Sequence, residues 1–206
     1  MKNKEQYLQL KQVEYSDATM NDQQAIILEK ASGSLVWDIE GQEYVDLCAG
    51  FGSLPLGHNH PVTQDAFLKS TGNDPELVQG LGDVYASRDK VQLLSTLQSM
   101  LPSHLGRGGL AVTGSQAVEL ALRTACLATG GEGFICFSGA YHGLDLGLLP
   151  LVGRSDFRGT CSLLQPSYPV TRLDYACSKD QVLAAIKQLE KAKTKVAAMI
   201  VEPVLG

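Results

Sequence analysis

The sequence predicts an α/β protein in which a mostly parallel sheet is flanked by helices. Two observations carry this prediction. Short apolar runs, such as residues 133–137 and 196–201, recur between amphipathic stretches, and the helical pattern at 116–129 closes on a pair of glycines. Short buried strands that alternate with helices are typical of βαβ units, whose strands run parallel. An N-terminal arm and a β-hairpin precede this sheet.

Composition limits the class of protein. The 206 residues carry 17 basic and 22 acidic side chains, a formal net charge of −5, and 44% of them are hydrophobic. Such a chain is globular and lacks the clustered Lys and Arg that bind nucleic acid. It has no apolar run long enough for a membrane span and no secretory signal at its start. Five scattered cysteines form no C-x-x-C pair. We therefore expect a reduced, cytoplasmic protein with no nucleic-acid or membrane partner.

A β-hairpin is predicted between residues 35 and 47. Apolar and polar residues alternate on either side of Glu40-Gly41, and the glycine suits a turn that needs an unusual φ. Asp38 and Asp46 flank this turn and resemble a carboxylate pair. We interpret them as solvated hairpin and turn residues.

Helices are expected in the rest of the chain. Pro61 suits the first position of a helix. Ser87 is a capping residue for an amphipathic helix that Pro102 ends. Ser178 and Gln181 have the spacing of a capping box and predict the start of another helix.

The predicted domain boundary falls in a loop with two histidines. Residues 1–58 are expected to form the N-terminal arm and hairpin segment, and residues 59–206 the first part of a larger domain. His58 and His60 have the H-x-H spacing of a metal-binding pair, but the sequence offers no third ligand nearby. We interpret both as loop residues before a helix.

The first candidate site is the glycine turn Thr113-Gly114-Ser115, which we place between a short strand at 109–113 and a helix. The start of a helix presents free N–H groups and the positive end of the helix dipole, and Ser115 adds a hydroxyl. This combination suits a phosphate ester. The alternative is an ordinary N-capping serine, which these residues alone favour. The spacing excludes a Rossmann fingerprint, a Walker A loop and a nucleophile elbow.

Two further candidate segments follow later strands. Tyr141 and His142 come after one predicted strand, and Glu202 with Pro203 ends another. Ligands of open α/β sheets lie outside the carboxyl ends of the strands, so we expect these residues to face the same crevice as Ser115. There the tyrosine ring can stack on a planar ligand, and the imidazole can form a hydrogen bond with that ligand. A loop tyrosine beside a satisfied histidine is an equal alternative.

Together these segments resemble the class III aminotransferases. The resemblance runs from about Gly33 to Gly206. It implies the major domain of fold type I, in incomplete form, and an enzyme that uses pyridoxal 5′-phosphate (PLP) to transfer an amino group from an amino acid or amine to a 2-oxo acid. It also implies a homodimer in the complete enzyme. The motifs that carry it, in family order, are those at residues 37–46, 56–61, 113–119, 140–143 and 201–206.

The resemblance also implies residue roles, though it assigns no catalytic residue and no metal ligand. Gly114 and Ser115 match positions that bind the cofactor phosphate. Tyr141 matches the aromatic residue that stacks on the cofactor ring, with His142 beside it, and Glu202 matches a glutamate near that ring. Gln116 departs from the glutamate that is common in the family. The implied cofactor-binding residues are Gly114, Ser115, Gln116, Tyr141, His142 and Glu202.

Some family features fall outside the motifs present. The aspartate that pairs with the pyridine nitrogen and the Schiff-base lysine follow the Glu-Pro motif in the family. Lys187, Lys191, Lys193 and Lys195 have the polar context of surface charges. We therefore expect the N-terminal part of a longer enzyme, inactive when it is alone. An aminomutase or decarboxylase of the same family, and a non-catalytic module that binds a phosphate ligand, are the alternatives.

Overall fold

The chain divides into two units, Met1–Val91 and Gln92–Gly206. The structure is a computed structural model. Among the residues it describes, no helix is long and apolar enough to cross a membrane. The domain boundary expected after residue 58 stays a prediction from the sequence. The described residues are 2–14, 25–72, 84–158 and 166–205.

The described residues of the first unit up to Gly72 form two helices and a three-stranded antiparallel sheet. Helix α1 spans Lys2–Val13. The strands are β1 (Leu28–Ser32), β2 (Leu35–Asp38) and β3 (Glu43–Val45), in the order β1-β2-β3. Helix α2 spans Pro61–Thr71. The predicted arm thus contains a helix and a strand that its polar sequence did not indicate.

The predicted hairpin is confirmed as the β2–β3 pair. Gly41 lies in its turn with φ +83°, a conformation that favours glycine. Asp38 Oδ1 accepts the N–H groups of Glu40 and Gln42, each at 2.9 Å. A carboxylate that bonds to backbone N–H groups a few residues ahead stabilises a turn. Asp38 is therefore a hairpin residue, as interpreted from the sequence, although it is buried and not solvated.

The same carboxylate ties helix α1 to the sheet. Asp38 is only 1% exposed, and its Oδ2 accepts from Asn3 Nδ2 at 2.7 Å and from Tyr44 Oη at 2.9 Å. Asn3 Oδ1 in turn accepts the N–H of Ile27 at 2.8 Å. A buried carboxylate is stable when several donors satisfy it, and Asp38 has four.

Asp46 organises the next loop and does not pair with Asp38. Its Oδ1 accepts the N–H groups of Cys48 and Ala49 at 2.8 and 3.0 Å, and its Oδ2 lies 2.8 Å from His58 Nε2. The hydrogen bond with His58 and those from the two amides hold the pKa of Asp46 below its ordinary value. Asp46 is a turn residue, as interpreted.

His60 begins helix α2. Its Nδ1 accepts the N–H of Val62 at 3.3 Å, and Pro61 occupies the first turn as predicted. With His58 bound to Asp46, both histidines have structural partners. In the described ranges no cluster of three or more His, Cys, Asp or Glu could hold a metal ion. The interpretation of the H-x-H pair as loop residues before a helix is confirmed.

Of the remaining helices, Arg88–Met100, Gly114–Thr129 and Lys179–Lys191 agree with the sequence signals, whereas Ser155–Arg158 was not predicted. Helix α3 (Arg88–Met100) begins after Ser87, whose Oγ accepts the N–H of Lys90 at 3.2 Å. Ser178 and Gln181 form the predicted capping box, at 2.8 and 3.3 Å. The other three helices are α4 (Gly114–Thr129), which ends at Gly130 with φ +65°, α5 (Ser155–Arg158) and α6 (Lys179–Lys191).

The second unit is built on a parallel sheet. Strands β4 (Gly133–Phe137), β5 (Val170–Leu173) and β6 (Val196–Met199) lie in the order β5-β4-β6. Both neighbours run parallel to β4, which is buried over its whole length. The runs at 133–137 and 196–201 were predicted, whereas β5 was not.

The two faces of β4 belong to different hydrophobic clusters. Phe134 and Cys136 pack on one side with Leu151, against the partly buried Leu122 and Cys126 of α4. On the other side, Ile135 packs with Ala185 and Leu189 of α6. Successive side chains of a strand point to opposite faces, so helices cover both sides of this strand. The predicted α/β class is confirmed.

The strand predicted at 109–113 is wrong. This segment is irregular, with no ladder partner in the part of the chain that the structure describes. Val112 is 93% exposed and Leu110 is also exposed. A short apolar run becomes a strand only where another strand satisfies its backbone groups.

We expect Asp38 to make the first unit acid-sensitive. Burial opposes its charge, but hydrogen bonds from Gln42, Asn3 and Tyr44 outweigh burial, so the pKa of Asp38 lies below its ordinary value. A carboxylate whose pKa is lower in the folded state than in the unfolded state stabilises the fold at pH values above its unfolded pKa. This stabilisation is lost as the pH falls through the folded pKa. The melting temperature should therefore fall as pH drops below about 4.

The Asp38→Asn variant should have a lower melting temperature at neutral pH, because the new amide nitrogen would face N–H or O–H donors that it cannot accept from. Its melting temperature should also depend less on pH in the acid range. The fluorescence of Trp37, the single tryptophan, reports unfolding next to the substitution. Asp65→Asn, on the exposed surface of α2, is the matched control and should keep the wild-type acid slope. An equally steep slope in Asp38→Asn would contradict the assignment.

Candidate functional site

The candidate site lies at the carboxyl ends of β4 and β6. The loop 138–143 follows β4, and Glu202 comes three residues after β6 ends at Met199. Because these strands are parallel, their carboxyl ends share one edge of the sheet. There the N–H of Tyr141 donates to Glu202 Oε1 at 2.5 Å. The structure thus joins two of the three segments that the sequence singled out.

The loop after β4 rests against a short 3₁₀ helix, Leu149–Leu151. The N–H of Gly153 donates to the C=O of Ala140 at 2.7 Å. A Cβ at Gly153 would overlap main-chain atoms of the loop, so glycine allows this close approach. Arg172 of β5 donates to the C=O of Pro150 and of Val152, at 2.6 and 3.1 Å. These contacts fix the start of the loop.

Gly143 brings the end of the same loop against helix α4. Its φ of +113° favours glycine, and an added Cβ would overlap Ser115 Oγ. The same Cβ would lie 2.9 Å from Ser115 Cβ and 3.0 Å from Leu148 Cδ1. The third segment, at the start of α4, therefore meets the loop that follows β4, as expected for a shared crevice.

The start of α4 is capped by Thr113, not by Ser115. Thr113 Oγ1 accepts the N–H of Gln116 at 3.2 Å, and Gln116 Oε1 accepts the N–H of Val112, also at 3.2 Å. The alternative of an N-capping Ser115 is wrong. In the described part of the chain, the Ser115 hydroxyl and the N–H groups of Gly114 and Ser115 have no hydrogen-bond partner. The space beside Gly114 Cα is open.

Tyr141 is 48% exposed. It packs edge-on against Phe157 of α5, with 5.4 Å between ring centroids and 64° between planes. The guanidinium of Arg154 covers Phe157 at 4.4 Å and pairs with Asp156 at 2.6 Å. An edge contact steadies the tyrosine ring while it leaves much of its surface free. Phe157 lies in no motif, and no sequence signal indicates its contact.

His142 is buried and incompletely bonded. It is 7% exposed, and its Nε2 has no hydrogen-bond partner among the described residues. Burial lowers the pKa of His142, while the nearby charge of Glu202 acts in the opposite direction. A lowered pKa keeps the imidazole neutral at pH 7. A buried polar atom without a partner is costly, and a bound ligand can satisfy it.

The lysines of the second unit lie on the surface. Lys187, Lys191, Lys193 and Lys195 are exposed, which confirms their interpretation as surface charges. Sequence reasoning missed Tyr175, whose hydroxyl lies 2.9 Å from the C=O groups of both Glu202 and Pro203. The capping box at Ser178 marks the start of a helix and so places Tyr175 in the loop before it, but no sequence signal indicates its contact with Glu202.

Comparison with known proteins identifies the family. The chain matches the class III aminotransferase family over residues 16–206. It is 33% identical over 189 residues to 5-aminovalerate aminotransferase DavT of Pseudomonas aeruginosa and 34% identical over 193 residues to 4-aminobutyrate aminotransferase GabT of Escherichia coli. Each match covers 88% of this chain and 44% of the relative. The chain belongs to the class III aminotransferases, which depend on PLP, and spans less than half the length of these relatives.

Solved structures show the same fold. Ornithine aminotransferase of Toxoplasma gondii superposes with a TM-score of 0.78 at 24% identity, over 99% of this chain and 46% of that one. Taurine:2-oxoglutarate aminotransferase of Bifidobacterium kashiwanohense, solved with PLP and glutamate, gives a TM-score of 0.80 at 20% identity, over 99% and 48%. The predicted fold type I, present here in part, is confirmed.

We expect Gly143→Ala to destabilise the second unit. The new Cβ would meet Ser115 in a backbone conformation that side chains rarely adopt, which costs roughly 1–3 kcal/mol. Thermal unfolding followed by far-ultraviolet circular dichroism measures the effect. Gly114→Ala is the matched control: it adds the same methyl group into open space and should change stability little. Equal losses in the two variants would refute the close approach.

Proposed function

We propose that this chain forms the part of a PLP-dependent aminotransferase that holds the cofactor phosphate and ring. The reaction is transfer of an amino group from an amino acid or amine to a 2-oxo acid. One observation carries the proposal: the free donors at the start of α4 lie against the loop that holds Tyr141 and His142, and this loop is bonded to Glu202. Family membership supports the class of reaction.

The start of α4 is the proposed phosphate site. The N–H groups of Gly114 and Ser115 and the Ser115 hydroxyl are donors, and the helix dipole adds partial positive charge. Gln116 takes part indirectly, because its side chain holds Val112 and closes the cap. Thr113 already satisfies the N–H of Gln116, so the preceding N–H groups remain for an anion.

The loop after β4 is the proposed ring site. The exposed ring of Tyr141 offers a stacking surface, and the unpartnered Nε2 of neutral His142 offers one hydrogen bond. Glu202 accepts the N–H of Tyr141 with Oε1 and thereby orients the loop. When bound, PLP supplies an electron sink for the carbanion that forms on the substrate. The residues of this chain bind and orient that group.

The proposed partners are an amino donor and a 2-oxo acid acceptor. The names of the two relatives, 5-aminovalerate and 4-aminobutyrate aminotransferase, support a donor with a terminal amino group. We also propose a homodimer, which the exposed apolar side chains of α2, among them Phe67 and Leu68, support. A cytoplasmic location agrees with the free thiols of Cys48 and Cys136.

Replacing Ser115 tests the phosphate site. In the protein that carries this chain, Ser115→Ala should weaken PLP binding by about 1–3 kcal/mol, or roughly 5- to 150-fold in Kd, the range for a hydrogen bond to a charged group. Equilibrium dialysis measures the affinity. Ser99→Ala, an exposed serine whose hydroxyl bonds within α3, is the control and should bind normally. An unchanged Kd in Ser115→Ala would remove Ser115 from the site.

Two substitutions at Tyr141 test the ring site. Tyr141→Phe keeps the ring face and should retain most PLP affinity, whereas Tyr141→Ala removes the stacking surface and should lose far more. The same dialysis experiment compares them. If both variants lose affinity equally, the hydroxyl and not the ring is the important group, and the stacking role fails.

A further inference from the structure

Glu202 lies in a segment with little main-chain support. The last main-chain hydrogen bond between this part of the chain and β4 runs from the N–H of Ile200 to the C=O of Ile135, at 2.9 Å. From 201 to 205, no main-chain N–H bonds to another main-chain group of the described residues, and Pro203 has no N–H. Among the described residues, a side chain contacts this segment instead.

Tyr175 supplies this support. Its Oη lies 2.9 Å from the C=O of Glu202 and 2.9 Å from the C=O of Pro203, so one hydroxyl proton is shared between two acceptors. The ring packs edge-on against Phe137 at the end of β4, with 6.3 Å between centroids and 85° between planes. Tyr175 thus anchors the segment after β6 to the ends of the two other strands.

We propose that Tyr175 is a positioning residue for the candidate site. Its hydroxyl fixes the backbone at Glu202 and Pro203. The carboxylate of Glu202 is then held where it accepts the N–H of Tyr141 at 2.5 Å, and this bond sets the loop that carries His142. The importance of Tyr175 for cofactor binding rests on the proposed function. The order of contacts, from the Tyr175 hydroxyl through Glu202 to the N–H of Tyr141, does not depend on it.

Tyr175→Phe tests the hydroxyl, because it keeps the ring against Phe137. We expect the amide hydrogen of Tyr141 to exchange with solvent about 2- to 10-fold faster, the change that loss of one hydrogen bond gives. Amides within β4, such as that of Ile135, should keep their wild-type rates. Nuclear magnetic resonance reads each amide separately and needs no cofactor.

Tyr168→Phe is the matched control. Tyr168 also donates its hydroxyl to a backbone carbonyl, that of Gly147 at 2.7 Å, and packs edge-on against a β4 aromatic, Phe134, at 5.4 Å. It makes no contact with Glu202. Tyr168→Phe removes an equivalent bond from a hydroxyl to a backbone carbonyl in the same unit, and it should leave the exchange of the Tyr141 amide unchanged.

A double-variant cycle tests the order of contacts. Glu202→Ala removes the acceptor and should accelerate exchange at Tyr141 at least as much as Tyr175→Phe does. If Tyr175 acts through Glu202, the double variant will exchange no faster than Glu202→Ala alone. Additive effects, or an unchanged Tyr141 amide in Tyr175→Phe, would overturn the proposal.

PLP binding separates this proposal from the proposed function. Equilibrium dialysis should show a higher Kd for Tyr175→Phe than for Tyr168→Phe. If the wild-type protein does not bind PLP while Tyr175→Phe still accelerates exchange at Tyr141, the positioning role stands and the proposed function fails. If the wild-type protein binds PLP and exchange at Tyr141 is unaffected, the positioning role fails alone.

Discussion

Residues 92–206 depend on the burial of β4 between two parallel neighbours. A strand with both edges paired and both faces covered has to be apolar throughout, and Gly133–Phe137 meets this requirement. Because β5 and β6 run in the same direction as β4, the residues that follow all three strands emerge at one edge of the sheet. Tyr141, Tyr175 and Glu202 come within bonding distance there, although up to 61 residues separate them along the sequence.

The features that the sequence predicted are those that local chemistry determines. The capping box at Ser178, the proline in the first turn of α2 and the glycine turn of the hairpin each depend on residues a few positions apart. The run at 133–137 was equally clear, because a short, continuously apolar segment after a helix and its glycines is typical of a buried strand. The rule for parallel strands placed Tyr141, His142 and Glu202 on the correct sheet edge. It rested on a wrong strand for Ser115, and all the cofactor roles came only from family resemblance.

The features that the sequence did not predict depend on distant partners. The run at 109–113 is as apolar as a strand, but no described neighbour pairs with it. β5 was missed for the opposite reason: it carries Arg172, and its side chains are only half-buried, yet pairing with β4 makes it a strand. Thr113 and Ser115 both have side chains that cap helices. Only the position of the first helical turn, which packing decides, shows that Thr113 takes that role.

The contact between Gly143 and Ser115 limits which substitutions position 143 can accept. Truncating Ser115 to alanine would remove the hydroxyl from the path of a side chain at 143, but the remaining Cβ would still lie 2.9 Å away and φ would still be +113°. Glycine at 115 would remove that Cβ too, but φ would stay at +113° and Leu148 Cδ1 would stay 3.0 Å away, so a side chain at 143 would still be strained. Backbone geometry alone favours glycine here, whether or not the site binds a cofactor. Glycine at 143 therefore reports how the loop packs against α4 and carries no information about activity.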